Sequence, residues 1–132
     1  LENNFVDITT ETTTTILSAV PAGDVVRLKE VRVSENSALP AAPTGSPPVS
    51  VVDDDNPLYV TLLYHDASTG TEGTDYPIVS KHHIPLCSTA VIFSGVLHVK
   101  ENDYLKLTTG DDDATAVDLT VAVTYEVLEE AS

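Results

Sequence analysis

The C-terminal part of the chain alternates between apolar and polar residues, and this pattern limits what the segment can fold into. From residue 117 to residue 127 every second side chain is Val, Leu or Tyr, and the intervening side chains are Asp, Thr, Ala or Glu. Successive side chains of a β-strand point to opposite faces, so the pattern predicts a long strand with one buried face. No window of the chain sustains the spacing of three and four residues that an amphipathic helix needs.

Similar patterns predict strands in the rest of the chain. Residues 58–64 and 104–108 alternate in the same way, whereas in residues 25–36 the alternation shifts by one position between Leu28 and Val31. This shift predicts a β-bulge near Lys29 and Glu30. Further strands are expected at residues 5–10, 13–20, 75–79, 89–93 and 96–99. About eight short strands predict an all-β single domain over residues 1–132, a two-sheet antiparallel β-sandwich that is jelly-roll-like.

Two short segments have the composition of tight turns. Pro21 and Gly23 predict a type I turn over residues 20–23, which would join the strands on either side as a hairpin. Asn102 tolerates a left-handed conformation and predicts a second tight connection, between Val99 and Tyr104.

Residues 37–57 are rich in proline and contain five of the eight prolines of the chain. A loop of about 20 residues is uncommon in a compact domain unless it is functional or disordered. We interpret it as a contact loop, with residues 1–10 as an N-terminal arm; the alternative is a poorly ordered surface excursion. The expected partner contacts are Phe5, Pro40, Pro43, Pro47 and Pro48.

The charge of the chain excludes some classes of partner. Asp and Glu number 21 and Lys and Arg only 6, so the net charge is -15. Such a field repels nucleic acid and anionic membranes, and we expect neither as a partner. No apolar run has the length of about 18 residues that a membrane helix needs, and the first residues lack the features of a signal peptide.

One histidine pair and one cysteine are the candidates for reaction chemistry. A thiolate needs a nearby base or cation to act as a nucleophile, and His82 and His83 precede Cys87. Adjacent strand residues face opposite sides, so one histidine at most could share a site with Cys87, and a second cysteine for zinc is absent. We therefore expect Cys87 to be a small buried side chain, and the chain to be no enzyme and to hold no cofactor.

Two acidic runs are weak candidates for a calcium site. Flexible loops with several carboxylates bind hard cations, although neither run has the spacing of an EF-hand loop. Solvated turns are the preferred interpretation. The runs are Asp53, Asp54 and Asp55, and Asp111, Asp112 and Asp113.

Four segments together resemble a small β-sandwich module of tailed-phage structural proteins. Residues 15–26 resemble its apolar strand, Pro-Ala-Gly turn and second strand, and residues 31–37 resemble the end of that second strand. Residues 94–105 are similar to its apolar strand followed by a tight turn, with Asn102 where Gly is usual. Residues 121–127 are similar to its final strand.

The resemblance implies a structural role in a virus particle. The expected function is capsid decoration: a cement protein, a homotrimer, bound to the major capsid protein or other virion proteins at the capsid surface. Two alternatives stay open. One is a neck, tail or baseplate component of the same kind of particle, and the other is a glycan-binding module, for which the chain offers five Tyr, two Phe and no Trp.

Overall fold

The computed structural model describes residues 1–9, 13–36, 58–85, 88–111 and 118–129, and these residues form eight strands and no helix. The all-β prediction is confirmed. The strands are β1 (Glu2–Ile8), β2 (Thr13–Leu17), β3 (Asp24–Glu35), β4 (Leu58–Asp66), β5 (Thr74–Ile84), β6 (Thr89–Val99), β7 (Tyr104–Asp111) and β8 (Leu119–Glu129).

The strands pair from the outside of the sequence inwards. The first strand pairs with the last, β2 with β7, β3 with β6 and β4 with β5, all antiparallel. Two further pairings, of β3 with β8 and of β4 with β7, join them into sheet A (β1-β8-β3-β6) and sheet B (β2-β7-β4-β5). A series of nested pairs rolled into two sheets is a jelly roll, so the predicted two-sheet antiparallel sandwich is confirmed.

The space between the sheets is filled by aliphatic side chains. The alternation at the C-terminal end has the predicted effect, because Leu119, Val121 and Val123 of β8 are fully buried. Leu105 and Leu107 of β7 are buried in the same way. Tyr64 and Tyr125, which have the parity of the core, are partly buried and pack against it. Transfer of this apolar surface from water is the main stabilising contribution to the fold.

The predicted bulge in β3 is confirmed at Lys29. The register of β3 against β8 shifts between Leu28 and Glu30, which are opposite the consecutive residues Tyr125 and Thr124. Lys29 is therefore an extra residue with no opposite residue in β8. The extra residue keeps Leu28 and Val31 on the same, buried side of the sheet. Residues 27, 29, 30 and 32 therefore lie on the other side.

The predicted hairpin around Pro21 is wrong. The turn is one residue later, with the Asp24 amide donating to the Pro21 carbonyl at 3.1 Å and Gly23 at φ 86°. The strands on its two sides belong to different sheets, since β2 pairs with β7 in sheet B and β3 lies in sheet A. Where the chain changes sheets, Val20 is hydrogen-bonded to the connection between β6 and β7, which also passes from one sheet to the other. The Val20 amide donates to the Asp103 carbonyl, and the Val20 carbonyl accepts from the Asn102 amide.

The expected tight connection at Asn102 is confirmed, with φ at 70°. Two other expectations differ from the structure in extent. Residues 89–93 and 96–99 belong to one strand, β6, because Gly95 at φ 152° continues the chain where a break was expected. The N-terminal segment, expected as a strand over residues 5–10 and as a contact arm, forms β1 at the edge of sheet A over residues 2–8.

Candidate binding face

Sheet A exposes apolar side chains on the side that faces away from the core. We call this side the outer face of sheet A, formed by the strand residues that alternate with the buried ones. Phe5 of β1 is 68% exposed, and Val91 and Val96 of β6 are 45% and 60% exposed. Leu1 and Leu128 add to it at the end of the sheet, next to Glu126. Phe5 lies at one edge of this face and the two valines at the other edge, and exposed apolar residues of this kind are a feature of interaction surfaces.

The pairing register places one residue from each strand of sheet A in a single row across the sheet, and one of these four residues is an arginine. Phe5 is opposite Ala122, Ala122 is opposite Arg32, and Arg32 is opposite Val91. Neighbouring strands are about 4.8 Å apart, so the row is roughly 14 Å long. It has an apolar residue at each end and a guanidinium between them.

The outer face of sheet A is balanced in charge although the chain is strongly acidic. Its described strand residues include three of the six Lys and Arg of the chain and three of the 21 Asp and Glu. A balanced face can approach an acidic surface without the repulsion that the rest of the chain would cause. These residues are Arg27, Lys29 and Arg32, and Asp7, Glu30 and Glu126.

Two ion pairs lie on this face. Arg27 donates to Glu126 through Nε at 2.8 Å and also through Nη2, and the hydrogen bonds from Arg27 hold the pKa of Glu126 below its usual value. Arg32 Nη2 is 3.3 Å from Glu30 Oε1, and the Arg32 side chain is 49% exposed. Exposed pairs such as the second contribute little to stability, so Arg32 is free to exchange Glu30 for a carboxylate of a partner.

A polar cluster lies on the opposite side of the molecule, under the loop between β4 and β5. His65 is 8% exposed; its Nδ1 is 2.6 Å from Asp75 Oδ1, and its ring stacks on Tyr104 with centroids 4.3 Å apart. Lys106 Nζ donates to the other oxygen of Asp75 at 3.1 Å. These bonds, the one from His65 first, lower the pKa of Asp75. The cluster holds the loop onto sheet B.

A second group of polar contacts joins the β6–β7 connection to β4. Asp103 is 4% exposed and accepts the Tyr64 hydroxyl at 2.5 Å and the Ala67 amide at 2.9 Å. The Tyr64 oxygen in turn accepts the Lys100 amide at 3.3 Å. Burial, followed by the hydrogen bond to Asp103, raises the pKa of Tyr64 to about 12.

Alkaline pH is therefore expected to destabilise the fold through Tyr64. The folded-state pKa lies above the ordinary value of 10.0, so the stabilising contribution of the neutral phenol is complete below pH 10 and is lost as the pH approaches about 12. Two units correspond to roughly 2.7 kcal/mol for a fully buried group, and because Tyr64 is only partly buried, solvent screening reduces the contribution to the order of 1 kcal/mol. Urea unfolding at about pH 9 and about pH 12 should show a smaller loss of unfolding free energy for Tyr64→Phe than for the unmodified chain. The exposed Tyr76→Phe is the matched control, and equal losses in all three proteins would contradict the prediction.

The candidates for reaction chemistry, His82, His83 and Cys87, are described in part. His82 is half-buried opposite Val60, while the exposed His83 is opposite Tyr59, with the two rings 5.8 Å apart. Cys87 lies outside the described residues. Among the described residues, no group of three or more His, Cys, Asp or Glu is placed to hold a metal ion.

Of the expected contact residues and the weak calcium candidates, the structure describes the side chain of Phe5. Phe5 is on the outer face of sheet A, as described above. Asp111 ends β7, but its side chain is outside the described residues. The others also lie outside the described residues: Pro40, Pro43, Pro47 and Pro48 in the Pro-rich loop, and Asp53, Asp54, Asp55, Asp112 and Asp113 in the acidic runs.

The tyrosines offer little material for a glycan platform. Tyr64 and Tyr104 are engaged in the contacts described above, Tyr125 packs against the core, and Tyr59 contacts His83. Tyr76 is 49% exposed on β5, in the sheet opposite to Phe5. Sugar rings bind most readily where several aromatic side chains lie next to each other, and the exposed Tyr76 and Phe5 lie on different sheets.

Sequence reasoning missed Val91 and Val96 as surface residues and did not find the cluster around His65. The apolar run of residues 90–93 predicts a strand but does not say which side chains face out. The signal that could have helped is Gly95, since a glycine inside a strand often marks a bulge. His65 is separated from Asp75 and Tyr104 by a loop and by two strands, so only the tertiary fold brings them together.

Comparison with known proteins gives no family for this chain. No family model matches it, and no curated protein matches it. Among solved structures, it is similar to a chain from the structure of infectious bursal disease virus, Gx strain, with 14% identity, a TM-score of 0.34 and coverage of 93% of this chain. The chain spans about a third (33%) of that neighbour's length. A likeness at this score carries no argument about function. No helix in the described ranges has the length and apolarity to cross a membrane.

Proposed function

We propose that the chain is a structural protein of a virus particle without enzymatic activity, and that it decorates the outer surface of a tailed-phage-like capsid as a cement protein. Its partner is the major capsid protein or another protein of the shell. The observation that carries this proposal is the outer face of sheet A, which combines exposed Phe5, Val91 and Val96 with a balanced set of charges.

The packing and the polar contacts of the described residues, more than the fold, favour a binding role over a catalytic one. Jelly rolls occur in viral capsid and lectin domains and in cupins, so the fold alone does not choose among functions. The interior of this one is packed with aliphatic side chains. The described polar clusters, around Asp75 and around Asp103, hold the protein's own loops and connections in place.

The physical logic of decoration is multivalency. Each copy would make a modest contact through its outer face of sheet A, and many copies on one shell would together stabilise the junctions between capsid subunits. The acidic remainder of the surface keeps unbound copies soluble. The homotrimer expected from the sequence stays a prediction for copies clustered around a threefold axis of the shell, and it makes no statement about the isolated chain in solution.

Charge placed on the outer face of sheet A is expected to abolish capsid binding. In the double variant Val91→Asp with Val96→Asp, two carboxylates would be buried at the contact without partners. Each unpaired buried charge costs several kcal/mol, so the affinity should fall by at least about a hundredfold. Co-sedimentation with particles stripped of the protein measures the effect. Tyr76→Asp is the matched control, because Tyr76 is similarly exposed on sheet B and should be replaceable without loss. If the double variant binds as well as the control, the outer face of sheet A is not the capsid contact.

Copy number separates decoration from the neck, tail or baseplate alternative. Quantitative mass spectrometry of purified particles should find on the order of hundreds of copies for decoration, whereas a ring or adaptor subunit would be present in a dozen or fewer. Deletion of residues 38–49, in the Pro-rich segment outside the described residues, should lower occupancy if that segment is the second contact.

A further inference from the structure

The first strand leaves one edge of sheet A open. Its seven residues pair one by one with β8, from Glu2 opposite Tyr125 to Ile8 opposite Leu119, with no shift in register. No described strand pairs with the other edge of β1. The strand contains no Pro, Gly, Lys or Arg. A regular edge strand presents unpaired backbone N–H and C=O groups to any other extended strand.

The other three edge strands are interrupted. The register of β2 against β7 shifts between Thr15 and Leu17, and that of β6 against β3 shifts twice, once beside Gly95. In β5 the register shifts twice, Pro77 lacks an N–H, and Lys81 has a φ of 47°. Bulges, prolines and lysines are the features with which proteins prevent edge-to-edge pairing. Among the described edges, β1 is the one that lacks them.

The edge is held in position before any partner arrives. Ile8 at its end is 2% exposed in the core, and the Asn4 side-chain amide donates to the Ile16 carbonyl of sheet B at 2.9 Å. A partner strand therefore meets an ordered template and does not have to order it, which lowers the cost of binding.

We propose that two copies of this chain associate through β1, which pairs antiparallel with β1 of the second copy about a two-fold axis at Phe5. The proposal does not depend on the proposed function, since it concerns the isolated chain in solution. Two four-stranded sheets would become one continuous eight-stranded sheet. The two outer faces of sheet A would then lie on the same side and form one larger surface.

The sequence of β1 is complementary to itself in this register. All seven residues overlap, inner residues meet inner residues, and outer residues meet outer residues, as continuous sheet faces require. Phe5 is opposite the second copy's Phe5, a favourable cross-strand aromatic pair. The acidic residues do not oppose each other, because Asp7 is opposite Asn3 and Glu2 is opposite Ile8. A shift by one residue would place Glu2 opposite Asp7 and mix the two faces.

Net charge predicts how the association responds to salt. Each copy carries a net charge of -15, so the copies repel at long range, while the contact itself contains no side-chain ion pair because β1 has no Lys or Arg. Raising the ionic strength from about 0.05 to about 0.5 M shortens the screening length and should strengthen the dimer. A contact based on salt bridges would weaken instead.

Disulfide trapping tests the register directly. In a Cys87→Ser background the chain has no other cysteine, and Phe5→Cys places one thiol on the two-fold axis, within the range of Cα distances that a disulfide spans. Mild oxidation should convert it to a covalent dimer of about 28 kDa, twice 14.0 kDa. Val91→Cys is the control, because it lies on the same face at the opposite edge of sheet A and should remain a monomer.

Sedimentation equilibrium supplies the second measurement, on the full chain. Concentrations up to about 0.5 mM are needed because an interface formed by one pair of seven-residue strands is small and therefore weak. We expect a monomer–dimer equilibrium that Phe5→Lys weakens at least about tenfold and Val91→Lys leaves unchanged. Cross-linking at equal rates in the Phe5→Cys and Val91→Cys proteins, a monomer at all concentrations and salt levels, or a trimer would each overturn the proposal. Capsid binding by a chain that stays monomeric would overturn it while leaving the proposed function intact.

Discussion

Deletion of Lys29 is expected to unfold the protein. Lys29 is the extra residue that lets Val26 and Leu28 share the core with Val31 and Val33. Without it, one half of β3 must turn its two buried side chains to solvent and place charged neighbours in the core, because a slip of one residue exchanges the faces of a strand. The apolar loss alone is about 3 to 6 kcal/mol, which approaches the whole stability of an ordinary domain. Circular dichroism and urea unfolding measure the result.

Lys29→Ser is the control for this deletion. The substitution removes the charge and most of the side chain but retains the residue, so the bulge stays in place and the effect should be within about 0.5 kcal/mol. The prediction is wrong if the deletion protein unfolds at a urea concentration close to that of the control.

Gly73→Ala is expected to cost about 3 kcal/mol or more. Gly73 has a φ of 78°, and a Cβ there would lie 2.6 Å from both the Asp66 carbonyl oxygen and His65 Nε2. Neither neighbour can move easily. The carbonyl belongs to β4, and the His65 ring is held between Asp75 and Tyr104. Chemical denaturation gives the change in unfolding free energy.

Gly70→Ala separates backbone strain from collision in this prediction. Gly70 lies in the same loop at a φ of 58°, but a Cβ there would have nothing within 4 Å. Its cost should be that of the left-handed conformation alone, about 1 kcal/mol. Equal costs at the two glycines would mean that the loop moves away from His65 without penalty.

The sequence carries enough information for the layers of this fold but not for its connections. Alternation in residues 117–127 and the shift after Leu28 predict strands and a bulge, because both depend on which side chains are buried locally. The turn at Pro21 was predicted as a hairpin because turn chemistry describes four residues only. Whether the next strand returns to the same sheet depends on Val20, whose backbone partners Asn102 and Asp103 lie in the connection between β6 and β7, far from Val20 in the sequence.

The candidate site was less predictable than the fold. Phe5 was expected to contact a partner, and its exposure is consistent with that. The other expected contacts are prolines in the segment outside the described residues. Val91 is a candidate contact residue because it shares a row with Arg32 and Phe5. The register that forms this row includes the pair Phe5 and Ala122, which are nearly 120 positions apart in the sequence. No local pattern carries such information.

The nested pairing also sets the order in which the protein can be completed. Of the eight described strands, only β4 and β5 are neighbours in both sequence and sheet, joined by the short loop that contains Gly73. Each pair outside this one closes a longer stretch of chain, and such long-range contacts fold slowly. During synthesis β1 is made before the six strands that separate it from its partner β8. The first strand therefore waits, unpaired, until all six of those strands and β8 itself have been made.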